Sequence, residues 1–229
     1  MHERLKRFLG VYSESRINDF IEREVAALPA GSRILDLGCG SQRYRKHCDQ
    51  LRYYAQDWGK SSEGLGSTRE EYVYGQLDYL GNCWNVDEES GHFDAILCTE
   101  VLEHVPYPEK TIREIARLLR PGGKLLLTAP LMSLRHMNPH WFQPGLSDNW
   151  YEFFLPKYDL SITRMDTIGD YAMLLKSELV RVWAHHKWAV PFMLPAIVFM
   201  SLFFKADKSA FRNLACMGYH IVATKTPRD

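Results

Sequence analysis

Residues 33–42 read Arg-Ile-Leu-Asp-Leu-Gly-Cys-Gly-Ser-Gln, and this stretch decides the fold. Ile34, Leu35 and Leu37 make a short apolar run, interrupted only by an acid. A strand buried on both faces of a parallel sheet has this pattern, in place of a strict alternation. Asp36 falls near its carboxyl end, and Gly38 and Gly40 follow one residue apart. Glycine at such a turn permits φ > 0 and lets the backbone come close to a ligand. Open α/β sheets bind their ligands at the carboxyl ends of their strands.

Upstream, Ile17, Phe20, Ile21, Val25 and Leu28 recur at helical spacing, with Ser13 as N-cap and Pro29-Ala30-Gly31 as the stop. Downstream, the residues from Gln42 to Gln50 predict a second helix. Arg52 to Asp57 predicts a strand that ends on an acid. Asp57 lies 21 residues after Asp36, about the distance at which nucleoside-binding folds place a ribose-binding acid. Gly59 to Arg69 reads as a loop, and Tyr72 to Gln76 as a third strand with Leu77-Asp78 just past its end. Phe93 to Cys98 is a fourth strand, and Thr99 to Pro106 the loop that follows. Pro108 to Leu119 is an amphipathic helix, stopped by Pro121-Gly122-Gly123, and Lys124 to Ala129 is a fifth strand. Strands and helices in this succession imply a doubly wound, mostly parallel α/β sheet.

Beyond Pro130 the pattern changes. A loop carries His136, His140, Trp141 and Phe142, and an aromatic helix is predicted over Trp150–Pro156. A sixth strand over Leu160–Met165 and a helix over Tyr171–Trp183 follow. Trp188 to Phe204 is uncharged over 17 residues, and Gly218 to Lys225 is a final strand.

The composition narrows the class. The 229 residues suffice for one sizeable core. Lysine plus arginine equals aspartate plus glutamate at 28 each, so no basic excess points to nucleic acid. The five cysteines show neither CxxC spacing nor a paired framework, which fits a reducing compartment, the cytoplasm. Met1–Gly10 is charged and lacks the apolar core of a signal peptide.

Several stretches together resemble the class I S-adenosylmethionine-dependent methyltransferases, and more narrowly the ubiquinone-biosynthesis-like group. They are ILDLGCGSQ (34–42), the acid of YAQDW, LD (77–78), and FDAILCTEVLEHVPYPEKTIREIARLLRPGGKLLLTAP (93–130). A dinucleotide site would carry a third glycine where Arg43 stands. The resemblance implies a seven-stranded Rossmann-like sheet with its last strand antiparallel, and S-adenosyl-L-methionine as cofactor. It implies that Asp36, Gly38, Cys39 and Gly40 lie against the methionine part. Asp57, with Trp58 beside it, would bind the ribose, Asp78 and Leu77 the adenine, and Thr99 and Glu100 would sit at the sulfonium end. The family's N-terminal helix lies over the cofactor, which puts Tyr12 and Arg16 within reach. Tyr53 and Tyr54 are read as strand packing.

The expected reaction is direct displacement onto a small-molecule acceptor such as a sugar, a secondary metabolite or a lipid-like compound. A hydroxyl acceptor calls for a base, and His136, His140 and His104 are the candidates. His104 also suits a packing role. No metal is expected, because Pro139 separates the two loop histidines and no third ligand follows at motif spacing. Trp141, Phe142, Trp150 and Tyr151 are candidate walls of the acceptor pocket, or else a satellite core. The chain is expected to form a single domain over 1–229. In it, 1–30 is a helical cap, 31–130 the cofactor-binding core, 131–217 an acceptor-side region with a helical and aromatic insertion, and 218–229 the last strand. Residues 188–204 are read as a lid or packing helix, with a homodimer face or a peripheral membrane contact as alternatives. The rival functions are a cofactor-binding module without catalysis and an NAD-dependent oxidoreductase.

Overall fold

The computed structural model describes residues 13–59, 75–137, 139–186, 188, 190–203 and 216–227. Tyr12, all but the first residue of the 59–69 loop, the Tyr72–Tyr74 part of the expected third strand, and Phe204 lie outside these residues. The elements run α1 (Ser13–Ala26), β1 (Arg33–Leu37), β2 (Arg52–Asp57), β3 (Tyr79–Leu80), β4 (Phe93–Thr99) and α2 (Pro108–Leu118). They continue with β5 (Leu119–Pro130), α3 (Asp148–Lys157), β6 (Leu160–Ile168), α4 (Tyr171–His185), α5 (Val190–Phe203) and β7 (Gly218–Lys225).

The seven strands form one sheet in the order β3-β2-β1-β4-β5-β7-β6. β1 runs parallel to β2 and to β4, β2 to β3, and β4 to β5. This is the Rossmann-like architecture that the sequence predicts. Ile34, Leu35, Leu37, Ala95, Ile96, Leu97, Leu125, Leu126 and Leu127 are fully buried, which explains why β1, β4 and β5 read as continuous apolar runs.

Two expectations need correction. Among the described residues the third strand is Tyr79–Leu80, paired with Gln56 and Asp57 of β2, and Gly75–Asp78 before it is irregular. The segment 42–50 makes turns around a short 3-10 helix, Arg45–His47, where an α-helix was expected. Its carbonyls bond three residues on, at Arg45, His47 and Cys48, and the left-handed Gln42 (φ +57°) breaks any longer run. The Pro121-Gly122-Gly123 segment lies inside β5, where the chain slips out of register with β4 between the pairs Phe93–Leu119 and Ala95–Lys124.

The chain divides into two compact units. One comprises Phe20–Asp166 and Tyr219–Asp229 and carries most of the sheet. In it, α2 begins at Pro108, where the missing N–H costs nothing, and buries Ile112, Ile115 and Leu118. Glu114 of α2 is buried but satisfied, by the Val86 N–H and by Arg117. Phe20 stacks on His220 of β7, with ring centroids 4.6 Å apart.

The other unit comprises Met1–Asp19 and Thr167–Gly218. Here α4 is capped by the Asp170 side chain, which accepts from the Met173 N–H, and α5 packs against α4. α5 is apolar all round. Ile197 is buried, whereas Phe192, Phe199, Leu202 and Phe203 are exposed. Pro191 sits in its first turn and Pro195 inside it, so two prolines do not prevent a helix of 14 residues. Among the described residues no helix is long and apolar enough to cross a membrane.

Leu97 packs at the centre of the sheet with no exposed surface. Leu97→Ala should lower unfolding stability by about 2–5 kcal/mol. Urea denaturation measures this, and a loss below about 1 kcal/mol would show that the centre of the sheet is not the stabilising core.

Candidate active site

β1, β2 and β4 end at one edge of the sheet. Asp36 pairs in register with Ala55 on one side and Leu97 on the other. That register brings Asp36, Asp57 and the Thr99–Glu100 corner to the same carboxyl edge, the ligand edge of such sheets. Asp36, Gly38, Cys39, Gly40, Asp57, Trp58, Leu77, Asp78, Thr99 and Glu100 lie in the sheet-bearing unit, whereas Arg16, expected to reach the cofactor, belongs to the other.

The glycine turn is held by the end of β2. Gly38 and Gly40 take φ of +73° and +50°. The N–H groups of Gly38 and Cys39 donate to the Gln56 carbonyl at 2.9 and 3.0 Å, and the Gly40 N–H donates to Oδ2 of Asp57 at 2.8 Å. A Cβ on Gly38 would lie 2.6 Å from Cγ2 of Val101, so the turn has no room for a side chain. Gln56, which the sequence did not single out, accepts weakly from Gly38 through Oε1 (3.3 Å) and donates to the Gly81 carbonyl at 2.6 Å.

Asp36 lies at the floor of this turn and is wholly buried. Oδ2 accepts from the Tyr53 hydroxyl at 2.6 Å, while Oδ1 has no partner. Burial pushes its carboxyl up to about 7; the Tyr53 bond opposes this and the Asp57 charge adds to it. Tyr53, expected to pack within its strand, also meets Asp36 through its hydroxyl. Burial likewise pushes the Cys39 thiol far above its usual range, so it stays protonated beside these acids.

Asp57 is half-buried, and Trp58 beside it is exposed. Asp78 is exposed and clamps β2 from the other side. Its N–H donates to the Ala55 carbonyl, and its Oδ2 accepts from the Ala55 N–H at 2.8 Å. Leu77 before it is half-buried. An open cavity of about 420 Å³ lies along this edge, between Gln56, Asp78 and Asn82 among others.

Glu100 turns the chain after β4 with φ +54°. Its Oε1 accepts from the Thr128 hydroxyl at 2.9 Å. Burial raises its pKa, against the Thr128 bond and the Arg43 charge. Glu103, three residues on, is buried with Oε2 unpartnered. Burial pushes it up to about 8, and the Glu100 charge adds to this.

The three expected histidines do not behave alike. His104 and His136 meet edge to face, with centroids 4.7 Å apart. Nδ1 of His104 is 2.6 Å from the His140 carbonyl, and Nδ1 of His136 is 2.8 Å from the Leu134 carbonyl. A carbonyl only accepts, so each Nδ1 carries a proton and donates. Burial pushes His104 down to about 4, opposed by the bond to His140, so it is neutral at ordinary pH. His140 contributes its carbonyl here, and its ring lies 6.4 Å from that of Trp58.

Glu103, which the sequence reading passed over, joins His104 and His136. One ligand atom from each lies within 4.8 Å of the others. The chain thus gathers a possible metal triad that the four-residue spacing of His136 and His140 did not suggest. The signal that could have found it was Glu103-His104 directly after a predicted strand end.

The aromatic residues divide in two. Trp141 donates its ring N–H to the Ser133 hydroxyl, and Phe142 is half exposed. Tyr151 is fully buried, edge-on to Trp150 and Tyr219, and so packs as core and offers no open wall. Its hydroxyl has no partner.

The sequence family described as a methyltransferase domain matches residues 6–158. A ubiquinone biosynthesis O-methyltransferase of Xanthomonas oryzae pv. oryzae is 36% identical over 110 residues, which cover 43% of this chain and 43% of that relative. The match thus spans less than half the length of the curated relative. In overall fold, the [4+2]-cyclase SpnF superposes with a TM-score of 0.58 at 18% identity, covering 92% of this chain and 81% of that one. A phosphoethanolamine N-methyltransferase of Haemonchus contortus, in complex with phosphomonomethylethanolamine and S-adenosylhomocysteine, superposes with a TM-score of 0.55 at 16% identity. It covers 93% of this chain and 53% of that one.

Gly38→Ala should destabilise the protein by about 1–2 kcal/mol for its left-handed backbone alone, and by more through the clash with Val101. Adding Val101→Ala should recover the clash but not the backbone cost. Thermal melts of the single and double variants measure this; equal melting temperatures would show that the two side chains do not meet.

Proposed function

This chain belongs to the class I S-adenosylmethionine-dependent methyltransferases, and we propose that it transfers a methyl group to a hydroxyl oxygen of a small molecule by direct displacement. The observation that carries the oxygen acceptor is the edge-to-face pair of imidazoles, His104 and His136, each with Nδ1 against a carbonyl and both gathered with Glu103 in the region after β4 and β5. The name of the Xanthomonas relative supports the same chemistry, and makes a ubiquinone precursor the first acceptor to test among sugars, secondary metabolites and lipid-like compounds.

The residues present fit the cofactor. Asp36 keeps one buried oxygen free at the floor of the turn, and the turn excludes any Cβ at Gly38. In this reading Asp36, Gly38, Cys39 and Gly40 hold the methionine part, and Asp57 accepts from the ribose hydroxyls with Trp58 beside it. Leu77 and Asp78 take the adenine, and Thr99 and Glu100 face the sulfonium end. When bound, the cofactor supplies a methyl group on a sulfonium, an electrophile that chiefly needs alignment with the acceptor oxygen. His136 takes the acceptor's proton at Nε2, while His104, which burial makes a weak proton acceptor, packs edge-on against it. His140 fixes the His104 ring through its carbonyl, and Trp141 and Phe142 flank the acceptor.

The triad of Glu103, His104 and His136 favours a second reading, in which a divalent cation held there acidifies the acceptor hydroxyl. The apolar surface of α5 is assigned to contact with lipid or with a second copy of the chain.

The test is a methyl-transfer assay with labelled cofactor over hydroxylated, carboxylated and amine acceptors, with a ubiquinone precursor among the first group. A methyl ether is the expected product; transfer to amines alone, or to nothing, would overturn the proposal. Chelator treatment should leave the rate unchanged in the first reading and abolish it in the second. Asp57→Ala should weaken S-adenosylhomocysteine binding by about 1.5–3 kcal/mol, the scale of hydrogen bonds to a charged group. Calorimetry measures this, and unchanged affinity would remove Asp57 from the ribose site.

A further inference from the structure

We propose that Tyr53 is a positioning residue for cofactor binding: its hydroxyl holds the Asp36 carboxylate ionised and oriented at the floor of the glycine turn. The proposal rests on the reading of Asp36 as a cofactor residue. Its support is geometric. Tyr53 pairs in register with Ile34, two residues before Asp36, so its side chain lies diagonally from Asp36 across β1 and β2, and the hydroxyl donates to Oδ2 at 2.6 Å. That bond fixes the carboxyl rotamer and leaves Oδ1, buried and unpartnered, as the atom free to meet a ligand. Asp36 is wholly buried, and an unpaired carboxylate there would take up a proton.

The hydroxyl works against that proton. A phenol donates one hydrogen bond, and an ionised carboxylate accepts it far better than a neutral acid does. The Tyr53 phenol is itself raised far above its usual range, by burial and by Asp36, so it remains a donor at every working pH. The Arg45 guanidinium lies 5.3 Å over the Tyr53 ring and donates to Gln42 Oε1 at 2.9 Å. Gln42 in turn donates to the Gln76 carbonyl at 2.8 Å. Tyr53 is thus gripped between the turn after β1 and the segment that leads to Asp78.

The other titratable groups facing Asp36 do not replace it. Asp57 of β2 repels its charge. Tyr44, Cys39, Cys48 and Cys98 all stay protonated, because burial raises each of them. Among the described residues, Tyr53 donates to the Asp36 side chain and no other group does.

The cofactor carries a cationic ammonium, and S-adenosylmethionine a sulfonium as well, so affinity should follow the ionisation of Asp36. In the wild type it should rise with pH through a midpoint near neutrality, where burial places Asp36. Tyr53→Phe keeps the ring and removes the donor. Its midpoint should move up by about one pH unit, with about a five-fold loss of affinity at pH 7 and convergence with wild type near pH 9.

Calorimetry with S-adenosylhomocysteine from pH 6 to 9, on wild type, Tyr53→Phe and Asp36→Asn, tests this. No binding by the wild type, or full affinity and an unchanged pH profile in Asp36→Asn, would refute the underlying cofactor reading. A weakened Asp36→Asn together with a Tyr53→Phe profile that matches wild type, or is lowered equally at every pH, would overturn the role of Tyr53 alone. If Tyr53→Phe does not fold, 3-fluorotyrosine at position 53 serves in its place. Its more acidic hydroxyl is a stronger donor and should move the midpoint down; an unmoved midpoint would overturn the proposal.

Discussion

The turn at Gly38–Gly40 has no fold of its own. Its three N–H groups are satisfied by the end of the next strand, two by the Gln56 carbonyl and one by Asp57. A buried N–H left without a partner costs about 1–3 kcal/mol, so the turn and the carboxyl end of β2 stand or fall together. The same coupling sets the site. Asp57 gives Oδ2 to the turn while its Oδ1 accepts weakly from the Gly59 N–H at 3.5 Å, and Val101, in the segment after β4, closes the turn from beyond.

How much of this could be read from the sequence depends on whether an element's signal is local. β1, β2 and β7 carry theirs in their own side chains, and their bounds match the sequence reading. β3 does not. It is two residues long and exists because Gln56 and Asp57 offer a pairing edge and Asp78 clamps Ala55 just before it. No periodicity operates over two residues, so the aromatic run a few positions earlier drew the assignment instead. The segment after Gly40 looked helical because its composition permits it. The left-handed Gln42 and the bonds it makes to a distant segment decided otherwise.

The site shows the same division. Asp36, the two glycines, Asp57 and Glu100 lie at strand ends, and strand ends are legible. Glu103 and Tyr53 are not, because their importance lies in the partner each meets across the fold. Tyr53 sits in a strand where an aromatic residue is ordinary, and only the parallel register with β1 aims its hydroxyl at Asp36. Tyr151 errs the other way. As one of a string of aromatics after a loop it suggested a pocket wall, but the Trp150 and Tyr219 rings enclose it. The desolvated acids come from two adjacent strands, Asp36 near the carboxyl end of β1 and Glu100 and Glu103 after β4, and burial raises all three.

The strand order has a consequence for how the chain is made. β7 follows every other strand in sequence, yet its place is between β5 and β6. A nascent chain that has emerged only as far as α5 would leave the Leu119–Pro130 strand as a bare edge and Leu160–Ile168 unpaired. Bare edges invite pairing with other chains. Until residues 218–225 emerge, such a polypeptide is poised between completing its own sheet and lending an edge to a neighbour, and a chaperone that shields this edge would act before they do.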